Sequence, residues 1–215
     1  MESRLNNSTS HTFSIYEFQS TLDKILHEYA IMKQHSLYNF HNISSLQSLL
    51  LTSMIKALRP TTILEIGSSN GFSLFSMLRG INSQKQLSEL CVVAVEVDFF
   101  RFERVKTLKE DLKLHSILHC IQGDIFSKHT QTQIRKISNQ YDFIFIDCMQ
   151  EQYGQLFELL HSLQILNSNV TICFENILSH SGAYDFYQQI TRDESYQVTE
   201  FPLHNGFILI QPHSK

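Results

Sequence analysis

From Thr61 onward the chain alternates between short apolar runs and amphipathic stretches, and few architectures accommodate that rhythm. The apolar runs cover residues 62–66, 91–95, 117–121, 143–146 and 169–174. Each is short and rich in β-branched or aromatic residues, the mark of a buried strand. Between them, residues 71–78, 99–112, 128–138 and 152–166 carry apolar residues at helical spacing, and a further helix is predicted near 183–190. Strands alternating with helices predict an α/β fold, a doubly wound and mostly parallel sheet covered on both faces. The end of the chain breaks the rhythm. Residues 196–201 and 206–211 flank Pro202-Leu203-His204-Asn205 with no room for a helix, so they predict a hairpin and an antiparallel last strand.

Two helices precede this core. Residues 13 to about 35 place Ile15, Phe18, Leu22, Ile25, Leu26, Tyr29 and Met32 on one helical stripe, and residues 44–58 form a second helix that stops at Arg59-Pro60. Residues 1–12 are polar and lack an apolar core segment, so they are expected to be a disordered tail rather than a signal peptide. The run 46–58 is too short and too polar to cross a bilayer. With 215 residues, no repeat and no linker-like segment, the chain reads as one domain over 13–215. Its formal net charge of −4 supplies no general field for nucleic acid or an anionic membrane. Cys91, Cys120, Cys148 and Cys173 form no C-x-x-C pair and lie in or beside apolar runs, which predicts reduced, mostly buried thiols in a cytoplasmic protein.

The most informative stretch is Leu64-Glu65-Ile66-Gly67-Ser68-Ser69-Asn70-Gly71-Phe72-Ser73. A strand ends at Ile66, a turn of small residues follows, and a helix starts near Gly71. Gly67 and Gly71 permit a sharp turn and a close approach to a ligand. The spacing is G-x-x-x-G rather than the dinucleotide pattern G-x-G-x-x-G. Glu65 beside the turn disfavours a phosphate and suits a cationic ligand, such as the ammonium or sulfonium of S-adenosylmethionine. The second strand ends at Glu96, where a carboxylate can accept hydrogen bonds from ribose hydroxyls. Gln122-Gly123-Asp124 follows the third strand, where an adenine edge could be read. Each element alone also fits an ordinary turn or a solvated strand end. Their order at consecutive strand ends is what gives them meaning, because open α/β sheets bind ligands there.

These pieces, with Tyr141-Asp142-Phe143-Ile144-Phe145-Ile146-Asp147, Tyr153, Glu175-Asn176-Ile177-Leu178 and Gly206-Phe207, resemble in order the cation-dependent O-methyltransferases of the catechol and caffeoyl-CoA type. The resemblance runs from Ile43 to Gln211. It implies a seven-stranded, Rossmann-like sheet with its last strand antiparallel. It implies an S-adenosyl-L-methionine site that includes Glu65, Gly67, Gly71, Ser73, Glu96, Gly123, Asp124 and Asp147. The N-terminal helices would help cover the active site and can support a homodimer.

Asp147 ends the fourth strand, and Glu175-Asn176 ends the fifth. Neighbouring strands would bring these oxygens together as a hard donor set suited to Mg²⁺, Ca²⁺ or Mn²⁺. The family holds its divalent cation on Asp, Asp and Asn, so Glu175 replaces the second Asp. Family members with a catalytic lysine carry it three residues after the first metal Asp, and here that position is Gln150. Glutamine cannot take a proton at neutral pH, so the role passes to a bound cation, to another group, or to nothing. His180 and His204 lie near but read as solvated loop residues. The leading expectation is methyl transfer to an oxygen of a small, hydroxylated, aromatic acceptor. Two others stand beside it. One is a tRNA-modifying enzyme of the same fold, using Lys106, Lys109, Lys113, Arg135 and Lys136 as a basic patch. The other is a cofactor-binding protein that kept the fold and lost the metal.

Overall fold

A computed structural model describes residues 14–34 and 43–213; the tail expected at 1–12 lies outside them. Helix α1 (Ile15–Gln34) and helix α2 (Ser45–Leu58) come first. Helix α2 begins with a capping box in which Ser44 and Gln47 satisfy each other's backbone N–H groups, and it ends in a left-handed residue at Arg59. The core follows as β1 (Thr62–Ile66), α3 (Phe72–Arg79), α4 (Gln84–Glu89), β2 (Cys91–Glu96), α5 (Phe99–Asp111), β3 (Leu118–Gln122) and α6 (Lys128–Ile137). It continues with β4 (Tyr141–Ile146), α7 (Tyr153–Ser162), β5 (Leu166–Glu175), α8 (Ser181–Ile190), β6 (Tyr196–Phe201) and β7 (Phe207–Pro212).

The seven strands form one sheet in the order β3-β2-β1-β4-β5-β7-β6. Pairings among β1 to β5 are parallel, and β7 runs antiparallel to both β5 and β6. The doubly wound architecture and the antiparallel last strand are therefore as expected. Two boundaries differ. The helix expected to reach residue 166 stops at Ser162, because Gln164 takes a left-handed turn and residues 166–175 are drawn into the sheet beside β4. Helix α4 was not expected, because its six residues hold a single apolar side chain, Leu87, and so carry no apolar period.

Strand alternation divides the core into two layers. Ile63, Val92, Ala94, Phe143, Phe145, Cys173 and Phe207 pack toward α1, α2 and α3. Leu64, Ile66, Val93, Val95, Ile144, Ile146, Phe174 and Ile208 pack toward α6, α7 and α8. The ends of β4 and β5 away from the cleft are tied by Asp142. Its carboxylate accepts from the Thr61 and Thr62 backbone N–H groups at 2.9 and 3.1 Å and from Asn167 at 2.9 Å. No helix among the described residues is long and apolar enough to cross a membrane.

Candidate active site

Register and alternation together place the polar strand ends. Ile66 pairs with Val95 and with Ile146, and Ile146 pairs with Phe174. One residue further along each strand, Glu96, Gly67, Asp147 and Glu175 form a row across the sheet. All four fall on the α1–α3 side, because they continue the alternation of Ala94, Phe145 and Cys173. Gly67 contributes no side chain to this row, so a gap opens between two carboxylates. Its φ is +91°, and a Cβ there would lie 2.1 Å from the Asp147 carbonyl oxygen. The glycine is demanded by the close passage of β4 as much as by any ligand.

The row floors a cleft of about 760 Å³ that opens at the carboxyl ends of the parallel strands. Of the expected site residues, Gly67, Glu96, Gly123, Asp124, Asp147, Gln150, Glu175 and Asn176 line it. Glu65, Gly71 and Ser73 do not. Glu65 sits one pleat below Gly67, fully buried, with one oxygen accepting from the Ser73 hydroxyl at 2.5 Å. Its other oxygen, Oε2, has no partner among the described residues. Burial pushes the Glu65 carboxyl up to about 8, against the Ser73 bond, and the nearby Asp147 and Glu96 charges add to the rise. Gly71 caps α3 in a left-handed conformation, and a Cβ there would strike Phe75. These three residues support the floor rather than form its surface.

Glu96 is held by two backbone donors, Ser69 N–H at 2.6 Å and Asp98 N–H at 2.9 Å. These bonds tie the glycine turn to the end of β2. Asp124 is exposed and accepts from Phe126 N–H at 2.9 Å. At the other end, Asp147 and Glu175 are neighbours at the ends of adjacent strands. Burial raises both carboxyls above their ordinary values, and the Asp147 charge adds to the rise at Glu175. Asn176 adopts φ +57°, and its Oδ1 accepts from Asn205 at 3.1 Å. Gln150 opens a short 3-10 turn at the rim. His204 lines the cleft, whereas His180 caps α8 through its ring nitrogen. Cys148 lines the cleft, and burial pushes its thiol up to about 12, which removes it as a nucleophile at neutral pH.

Several contributors were not foreseen. Tyr29 of α1 donates its hydroxyl to the Asn70 carbonyl in the glycine turn, and Arg104 lies over its ring. Gln47 of α2 donates to Glu175 at 2.8 Å. Among the described residues, Arg101 is the one Lys or Arg on the cleft wall, which it shares with five carboxyl-bearing residues. The Ser44-x-x-Gln47 pattern is a signal from which the cap could have been found, but nothing local signals the partner across the fold.

A row of acidic strand ends around a bare glycine, at the carboxyl edge of a doubly wound sheet, defines an α/β protein built to hold a small polar ligand there. The profile of the methyltransferase domain family matches residues 64–177, just over half of the chain, and the chain belongs to that family. No curated protein matches the sequence. Among solved structures, the Bacillus cereus O-methyltransferase in complex with SAH is 22% identical, with a TM-score of 0.69 and 90% of each chain covered. The SAH-bound methyltransferase PaMTH1 of Podospora anserina is 14% identical, with a TM-score of 0.71 and coverage of 100% of this chain and 99% of that one. The O-methyltransferase TomG of Streptomyces achromogenes, involved in tomaymycin synthesis and in complex with SAM, is 16% identical, with a TM-score of 0.69 over 92% of this chain and 90% of its own. At these identities the likeness shows a shared fold.

Proposed function

We propose that the chain is an S-adenosylmethionine-dependent methyltransferase acting on an oxygen of a small hydroxylated acceptor. The observation that carries this reading is the row Glu96–Gly67–Asp147–Glu175 along one cleft floor. Glu96 keeps lone pairs free beside its two backbone donors and can accept from ribose hydroxyls. Asp124, next to Gly123, can meet the adenine edge. The gap over Gly67 leads from that end to Asp147, where a cationic ammonium or sulfonium group finds negative potential. S-adenosylmethionine is the ligand that combines an adenosine with such a cation, and its sulfonium carbon supplies the methyl group. The acidic wall also argues against a polyanionic acceptor such as tRNA.

Asp147 and Glu175 then mark the acceptor end. An acceptor hydroxyl loses its proton as the oxygen–methyl bond forms and the carbon–sulfur bond breaks, with sulfur keeping the electron pair. Asp147, whose carboxyl burial raises above the ordinary carboxylate range, can take that proton in its ionised form. Gln150 can hold the acceptor only by hydrogen bonds. Met149 offers the rim an apolar surface for an aromatic ring. The donor set Asp147, Glu175 and Asn176 fits a divalent cation in chemistry, since Glu175 Oε2 is buried with no donor among the described residues. Such a cation would supply charge to stabilise an ionised acceptor.

The test is calorimetry with SAH, followed by incubation of the protein and labelled S-adenosylmethionine with a metabolite extract. Micromolar SAH binding and label in small molecules are expected. A protein that binds no SAH ends the reading; label in RNA alone replaces the acceptor class. Mg²⁺ or Mn²⁺ is expected to raise the melting temperature, and Asp147→Ala to abolish the rise. A wild type indifferent to both ions removes the cation.

A further inference from the structure

We propose that Gln47 is a positioning residue for Glu175, through which helix α2 fixes the Glu175 carboxyl group at the cleft floor. The proposal rests on the reading of Asp147 and Glu175 as the acceptor end of the site. Gln47 is fully buried, so its amide must find all its partners inside the protein. Its Oε1 accepts from Ser44 N–H at 2.7 Å, closing the capping box. Its Nε2 donates to Glu175 Oε1 at 2.8 Å. A capping box accepts Glu or Gln at this position equally well. Only Gln retains a donor once its oxygen is used. Glu here would set a second carboxylate against Glu175. The amide is therefore chosen by the strand end, not by the helix.

The rest of the geometry makes the constraint tight. The Glu175 backbone is held by the Tyr153 hydroxyl, which donates to its carbonyl at 2.8 Å. With Oε1 committed to α2, Oε2 is left buried with no hydrogen-bond partner among the described residues. Helix α2 is itself fixed to α3 through the Ser48 and Ser76 hydroxyls at 2.7 Å and the bond from Thr52 to the Ser76 carbonyl at 2.8 Å. The helix that follows the glycine turn and the carboxylate at the acceptor end thus share one rigid support. A longer Glu in place of Asp needs such a support, because its extra rotatable bond would otherwise leave the carboxylate unplaced.

The experiment compares crystal structures of wild type, Gln47→Met and Ser44→Ala, with SAH calorimetry on each. Gln47→Met keeps length and removes the donor; Ser44→Ala removes half the cap and leaves the donor. In Gln47→Met the Glu175 carboxyl group is expected to leave its wild-type rotamer while SAH affinity stays within about twofold, as for independent sites. In Ser44→Ala Glu175 is expected to stay in place at a lower melting temperature. On any acceptor the wild type methylates, Gln47→Met should lower kcat by up to about 10²-fold and leave the cofactor KM unchanged. A Glu175 carboxyl that does not move in Gln47→Met overturns the proposal, and an unchanged kcat beside a moved carboxyl overturns its part in the reaction. If Gln47→Met does not fold, Gln47→Leu removes the same donor, and an unmoved Glu175 there overturns the proposal equally. Absence of SAH binding by wild type ends the cofactor reading separately, and the Glu175 positions still decide the role of Gln47.

Discussion

Glu65→Gln should flatten the dependence of stability on pH. In the folded chain this carboxyl is pushed to about 8 by burial, from an ordinary value of 4.5. Between those values the folded protein holds a proton that the unfolded chain has released. Stability therefore falls as pH rises through that window. The slope from one such group is about 1.4 kcal/mol per pH unit, so moving from pH 5 to pH 7 removes about 3 kcal/mol. Gln cannot ionise in either state, and its oxygen can still accept from Ser73. The variant starts lower than wild type at pH 5, because its amide N–H₂ replaces Oε2, which has no partner among the described residues. It should then gain about 3 kcal/mol on wild type by pH 7. For a chain of this size that is roughly 6–12 °C in relative melting temperature. Urea unfolding of both proteins without ligand at pH 5, 6 and 7 measures the difference directly. Parallel curves would refute the reasoning and mean that Glu65 is ionised throughout.

Other outcomes follow from the same geometry. Gly67→Ala meets both a positive φ and the Asp147 carbonyl at 2.1 Å, so it should destabilise by at least ~3 kcal/mol or prevent folding; a variant melting within a few degrees of wild type would contradict the close passage of β4. Glu96→Ala should weaken SAH binding roughly 5- to 150-fold, or about 1–3 kcal/mol, by removing an acceptor that also orders the glycine turn; unchanged calorimetry would sink the ribose assignment. Tyr29→Phe should lower stability by about 1 kcal/mol through the lost bond to Asn70, read from urea midpoints at constant slope, and no change would show that α1 does not steady the turn.

The chain's own periodicities determined the architecture. Alternating strand and helix signals are local, each carried by a handful of neighbouring residues, and they placed Glu96, Asp124, Asp147 and Glu175 at strand ends before any tertiary contact was considered. Parallel sheets then leave little freedom, because adjacent strand ends must share one edge. The glycine turn extended the same reading to Glu65 and Gly71, and family likeness to Ser73, all three of which the folded chain places beneath or beside the floor instead of on it. Which face a strand-end residue takes depends on register, and register is a relation between strands far apart in sequence. Only the tertiary structure put Glu96, Gly67, Asp147 and Glu175 in one row and showed why Gly67 can carry no side chain. It alone joined Gln47 to Glu175 across 128 residues, since a buried amide selects its partner by position in space, and no local pattern encodes that distance.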